Sequence, residues 1–65
     1  MPDPQYVIRR YISLGPTYAV DDCGVRGRVA ALQAAEHMAA DYVGVAVLDE
    51  IGDVVATFGS VPRSG

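Results

Sequence analysis

One cysteine and one histidine, Cys23 and His37, are all that this chain offers to a disulfide or a soft metal site. An intrachain disulfide is therefore excluded, and neither residue has a second thiol or imidazole at ligand spacing. A lone thiol fits a reducing compartment, because small secreted domains are usually dense in disulfides. Basic residues are scarce as well. All five are arginines, set against eight acids, and the formal net charge is −3. A dedicated nucleic-acid binder usually carries a basic surface, so that class is disfavoured. No apolar run approaches the roughly 20 residues that a membrane-spanning helix needs. The opening MPDPQ also lacks the charged-then-apolar layout of a signal peptide. The expectation is a soluble, cytoplasmic protein with no membrane partner.

Catalytic equipment is missing too. Cys23 and His37 stand fourteen positions apart, and no third group is placed to orient the imidazole, so a thiol nucleophile is not supported. Asp49, Glu50 and Asp53 are too few and too irregularly spaced for a calcium loop. They read as a solvated turn. No complete nucleotide-binding signature is present, and nothing implies a cofactor. The chain is expected not to be an enzyme. Its 65 residues make one small domain, 1–65, with irregular ends at 1–5 and 60–65. A chain of this size buries only about 60 % of the surface its unfolded form exposes. Small domains often add a disulfide, a metal or self-association. With the first two lacking support, a homodimer or another protein partner is the remaining common route to extra burial.

What is present centres on the stretch Tyr42 to Phe58, YVGVAVLDEIGDVVATF. Val43, Val45 and Val47 alternate with Gly44, Ala46 and Leu48, so both faces of this strand are apolar. Asp49 to Asp53 form a turn in which Gly52 can take a positive φ. Val54 to Phe58 resume as a second strand of β-branched and aromatic residues. Upstream, Tyr6 to Ser13 (YVIRRYIS) is a strand in which Arg9 and Arg10 read as solvated positions with stems lying over apolar neighbours. Leu14, Gly15 and Pro16 break it, and Thr17 to Val20 form a short strand that pairs back onto the first. Asp21 to Gly27 reads as a loop. A helix follows over roughly Arg28 to Asp41, its apolar stripe running through Val25, Val29, Leu32, Ala35, Ala39 and Tyr42. Gln33, Glu36, His37 and Asp41 line its polar side. Small alanines on the helix, facing Gly44 and Ala46 on the strand, would permit close approach. The expected class is α+β, an antiparallel sheet of about four strands (ββαββ) with one helix on one face.

Two places invite a functional reading. The first is the segment Gly24, Val25, Arg26, Gly27, Arg28. Glycines before a helix can bring N–H groups to an anion, and cations at a helix start oppose the helix dipole unless something negative joins them. Local pairing of Arg26 and Arg28 with Asp21 and Asp22 explains the same residues. The segment lacks the lysine and length of a P-loop, and the G-x-x-G loop of KH domains joins two helices. The second place is a surface. One helix covers only one face of such a sheet, which leaves the other for a partner. Tyr11, Val43, Val45, Val47, Val55 and Thr57 are the residues expected there.

The order strand–strand–helix–hairpin resembles two groups of small proteins. One is a set of uncharacterised bacterial domains with an Ala/Glu-rich helix followed by a strand, an acidic Gly turn and a strand. Ala30 to Ala40 and Val45 to Thr57, with Asp49, Gly52 and Asp53 at the turn, carry that likeness. The other is the small phage-encoded inhibitors of CRISPR complexes, some of which begin with a strand like Tyr6 to Tyr11. The second resemblance implies an inhibitor that binds a protein; neither transfers a role to any residue. With five arginines against eight acids, the strongly acidic DNA-mimic type of inhibitor is not supported.

Overall fold

A computed structural model describes residues 4–61. It contains β1 (Gln5–Leu14), β2 (Thr17–Arg26), α1 (Arg28–Met38), β3 (Gly44–Leu48) and β4 (Val54–Gly59). The four strands form one antiparallel sheet in the order β2-β1-β3-β4, and the helix lies on one face. The protein is thus a small α+β fold of two hairpins joined by a helix. No helix among the described residues is long and apolar enough to cross a membrane.

The first hairpin is set by its turn. Gly15 takes φ 76 at the first central position, as a two-residue type II′ connection demands, and the fixed φ of Pro16 suits the second. Leu14 is then opposite Thr17, and the pairing runs unbroken to Gln5 opposite Arg26. This corrects the reading of Asp21 to Gly27 as a loop: all but Gly27 continue β2. It also corrects the irregular start, because Gln5 belongs to β1 and its N–H donates to Glu50 Oε1 at 3.3 Å. Residues 1–3 and 62–65 of the expected irregular ends lie outside the described residues. Ser60 is held, its N–H donating to the Val43 carbonyl at 3.0 Å.

Gly27, with φ 91, turns the chain out of the sheet. Its N–H donates to the Pro4 carbonyl at 2.9 Å while its own carbonyl accepts from Ala31 N–H at 3.0 Å. The helix ends at Met38, three residues before the expected Asp41. Ala40 and Asp41 instead bond back to the carbonyls of His37 and Met38 in a turn.

The core is small. Ile8, Val45 and Val47 are fully buried, with Tyr6, Ala31 and Ala35 around them. Val25, Leu32, Met38, Tyr42, Val55 and Phe58 pack at its margin. Ala31 and Ala35, one turn apart, are the ridge that meets the sheet. Val29 was expected in that stripe and is instead 69 % exposed. Two positions before Ala31 corresponds to about 200° of rotation on a helix with 3.6 residues per turn, which points Val29 outward. The expected meeting of small residues with small residues is also corrected. The alanine ridge packs on Val45 and Val47, while Gly44 and Ala46 face the other way. A side chain at Gly44 would collide with the Ser60 carbonyl, since its Cβ would lie 2.1 Å away.

The second hairpin closes over a longer connection. Asp49 Oδ1 accepts from the N–H groups of Ile51 at 3.1 Å and Asp53 at 2.9 Å, and Gly52 sits at φ 90. A bulge between Val47 and Leu48 shifts the register. It undoes the simple alternation of β4, so Val55 and Ala56 both pack against the core.

Candidate interaction surface

The face of the sheet away from the helix is built in rows. Gly24, Val7, Leu48 and Val54 form one row across the four strands; Asp22, Arg9, Ala46 and Thr57 form the next; Val20, Tyr11 and Gly44 form the third. The middle row is polar. Arg9 Nε and Nη2 donate to Asp22 Oδ1 and Oδ2 at 2.9 and 3.1 Å, a bidentate pair directly across the ladder. The hydrogen bond from Arg9 holds the Asp22 carboxyl below the usual aspartate range, and the same bond raises the Arg9 guanidinium. Ala46, flanked by Arg9 and Thr57, is almost entirely covered.

Arg10 does the corresponding work on the helix side. It is paired with Asp21, and its guanidinium lies over the Tyr42 ring, 5.5 Å from the centroid. Arg9 and Arg10 are thus ion-paired positions, and Asp21 and Asp22 pair with them instead of with Arg26 and Arg28. The signal that would have revealed this lies in the turn. A two-residue Gly15-Pro16 connection, continued along both strands, brings Arg9 opposite Asp22 and Arg10 opposite Asp21.

Beyond Tyr11 the sheet narrows. β3 pairs with β1 only from Val7 to Tyr11, so Ile12 to Leu14 and Thr17 to Ala19 project as a two-stranded arm. Ile12 is 36 % exposed, Leu14 58 %, Tyr18 50 % and, at the arm's base, Val20 58 %. This concentration of uncovered large apolar residues was not foreseen. The run Ser13 to Val20 reads as a turn with a short strand, and only the mismatch in strand lengths exposes it.

Of the six residues expected on the partner face, the structure brings only Tyr11 and Thr57 together there. Val45 and Val47 are fully buried under the helix, and Val55 packs against the core cluster. Val43 lies just before β3, half-exposed, its N–H donating to the Tyr11 carbonyl at 3.2 Å. The four residues of the arginine segment are not gathered into one cradle. Gly24 and Arg26 are strand residues, and alternation puts Arg26 on the open side with Asp22. Gly27 caps the helix with no side-chain hydrogen bond, and the first turn holds no acid. Arg28 begins the helix on the other side of the sheet. Among the described residues neither Arg26 nor Arg28 has a carboxylate partner.

A hollow of about 250 Å³ is lined by Pro4, Tyr6, Asp49, Glu50 and Ile51. Its two acids are engaged with backbone N–H groups, as described above. Cys23 is half-buried in β2 beside Ile8, whereas His37 is exposed on the helix. Among the described residues no three His, Cys, Asp or Glu side chains gather as a metal site would require. Comparison with protein families, with curated proteins and with solved structures gives no match.

Proposed function

We propose that this chain is a non-enzymatic protein-binding module that acts through the first hairpin: its projecting arm, the adjoining open face and its free edge. The observation that carries the reading is the exposure of Ile12 and Leu14 on one face of an arm that β3 does not reach, and of Tyr18, with Val20 at the arm's base, on the other. Uncovered apolar residues gathered in one region mark an interaction site more often than scattered ones do. A module of this kind acts by occupying a partner's surface, which is the action of a small inhibitor or regulator and accords with the likeness to phage-encoded CRISPR inhibitors.

The test is binding of a hydrophobic dye, read beside sedimentation equilibrium at micromolar concentration. The wild type should bind the dye or self-associate, and replacing Leu14 and Tyr18 with Ser should reduce dye binding without lowering the melting temperature. A clean monomer that binds no dye would remove the physical basis of the reading.

A further inference from the structure

β2 is an edge strand, and among the described residues no strand pairs with its outer side. The Gly27 N–H bonds to Pro4, and Leu14 faces Thr17 across the turn. The odd-numbered residues of β2 therefore direct their main-chain groups toward β1. By the alternation of an antiparallel ladder, Tyr18, Val20, Asp22, Gly24 and Arg26 direct theirs outward. Such an edge is a template for another strand.

The outward segment Asp22-Cys23-Gly24-Val25-Arg26 is self-complementary about Gly24. An acid lies two places before the glycine and a base two places after it, with a half-buried apolar residue on each side. If two copies meet antiparallel with Gly24 opposite Gly24, Asp22 of each copy faces Arg26 of the other, and Cys23 faces Val25. Neighbouring registers lose this match. Centring on Asp22 sets two carboxylates face to face, which destabilises a ladder. Centring on Cys23 puts Asp22 against Gly24 and Arg26 against Val20. Centring on Val25 puts Arg26 against Gly24 and leaves Asp22 beyond the end of the other strand. Neither register pairs a charge within the ladder. Arg26 is exposed and has no carboxylate partner among the described residues. Asp22 is already held by Arg9, yet a carboxylate offers about four lone-pair sites and can accept a second guanidinium.

We propose that β2 pairs antiparallel with β2 of a second copy of this chain, with Gly24 on the two-fold axis and two symmetric Asp22–Arg26 ion pairs across it, forming one continuous eight-stranded sheet. This rests on the protein-binding reading and names the partner. It leaves the apolar arm free for a separate contact.

The test is a charge-exchange experiment by sedimentation equilibrium. Wild-type protein should dimerise. Arg26→Asp alone sets acid against acid, and Asp22→Arg alone sets base against base. Each should weaken self-association by at least about tenfold. In an equimolar mixture, one copy of each variant places both acids of the first opposite both bases of the second, so a heterodimer should form. An unfolded variant could not do this. A second variant reads the register without touching charge. Val25→Cys places two thiols opposite each other at a non-hydrogen-bonded pair, where Cα atoms stand about 4.5 Å apart and a disulfide is reachable. Under a copper–phenanthroline oxidant it should give a covalent dimer, and the wild type, with Cys23 opposite Val25, should not. A dimer untouched by Arg26→Asp, or a mixture that stays monomeric, would overturn the pairing and leave binding through the arm intact. A monomeric wild type would overturn it too, and the dye measurement would then decide the broader reading separately.

Discussion

Ile8 and Ile12 stand four residues apart on the same face of the same strand, yet one is fully buried and the other 36 % exposed. The root of the first hairpin and its arm share a turn, a register and an alternation. They differ only in what lies beside them. At the root, β3 pairs along Val7 to Tyr11, and the Ala31–Ala35 ridge of the helix lies above. At the arm there is neither. A strand's pattern says which residues share a face; burial of that face is conferred by the neighbours that happen to reach it.

The largest effect should come from testing this contrast directly. Ile8→Ala removes a fully buried side chain and should cost roughly 2–5 kcal/mol from transfer and cavity terms. At about 0.05–0.15 kcal/mol per residue the whole domain has about 3–10 kcal/mol to lose, so this variant should lose a large share of its stability. Ile12→Ala should cost less, about 1–2 kcal/mol, since Ile12 is only partly covered and its loss forfeits burial without leaving an enclosed cavity. Urea titration of both reads the difference, and equal losses would mean that the arm is as well packed as the root.

A middle effect is expected at the turn that both halves share. Gly15 at φ 76 has open space around it, so Gly15→Ala should destabilise by backbone strain alone, about 1 kcal/mol or somewhat more. The same substitution at Gly52, φ 90 and also in open space, provides the control. A loss at Gly52 but none at Gly15 would show that the first hairpin's register does not depend on its turn.

The smallest effect concerns the ion pair at the root. Arg9 and Asp22 are 39 % and 48 % exposed, so solvent screens them, and the pair should be worth under about 1 kcal/mol. The Asp22 carboxyl titrates below its usual value because Arg9 donates to it. Its contribution is therefore complete above the ordinary aspartate value of about 3.9. It fades as pH falls through the lower folded value. Asp22→Asn should flatten the acid limb of stability against pH, whereas Asp53→Asn in the second turn provides a comparison in an acid with no ion pair among the described residues. Matching acid limbs for Asp22→Asn and wild type would show that the pair contributes nothing.

Much of the architecture was legible in the residues themselves. The valine-rich run with its acidic Gly turn is a hairpin, Gly15-Pro16 is a turn, and the alanine-rich stretch is the helix, because these signals act over a few neighbouring residues. Three features were not. Asp21 to Gly27 has the composition of a loop, yet all but Gly27 is strand, because the two-residue turn carries the pairing on and sets Arg9 and Arg10 opposite its acids. The choice of which side of β3 meets the helix was also hidden, since both sides are apolar. Bulk decided it: a flat ridge of Ala31 and Ala35 leaves room that Val45 and Val47 fill and that Gly44 and Ala46 would leave empty. The exposed arm is likewise a consequence of ten-residue strands meeting a five-residue one. Local conformational preference is written residue by residue, so the chain alone determined its turns, its helix and its alternating faces. Which face is covered, and where the covering stops, depends on contacts between residues far apart in sequence, and only the packed structure decided those.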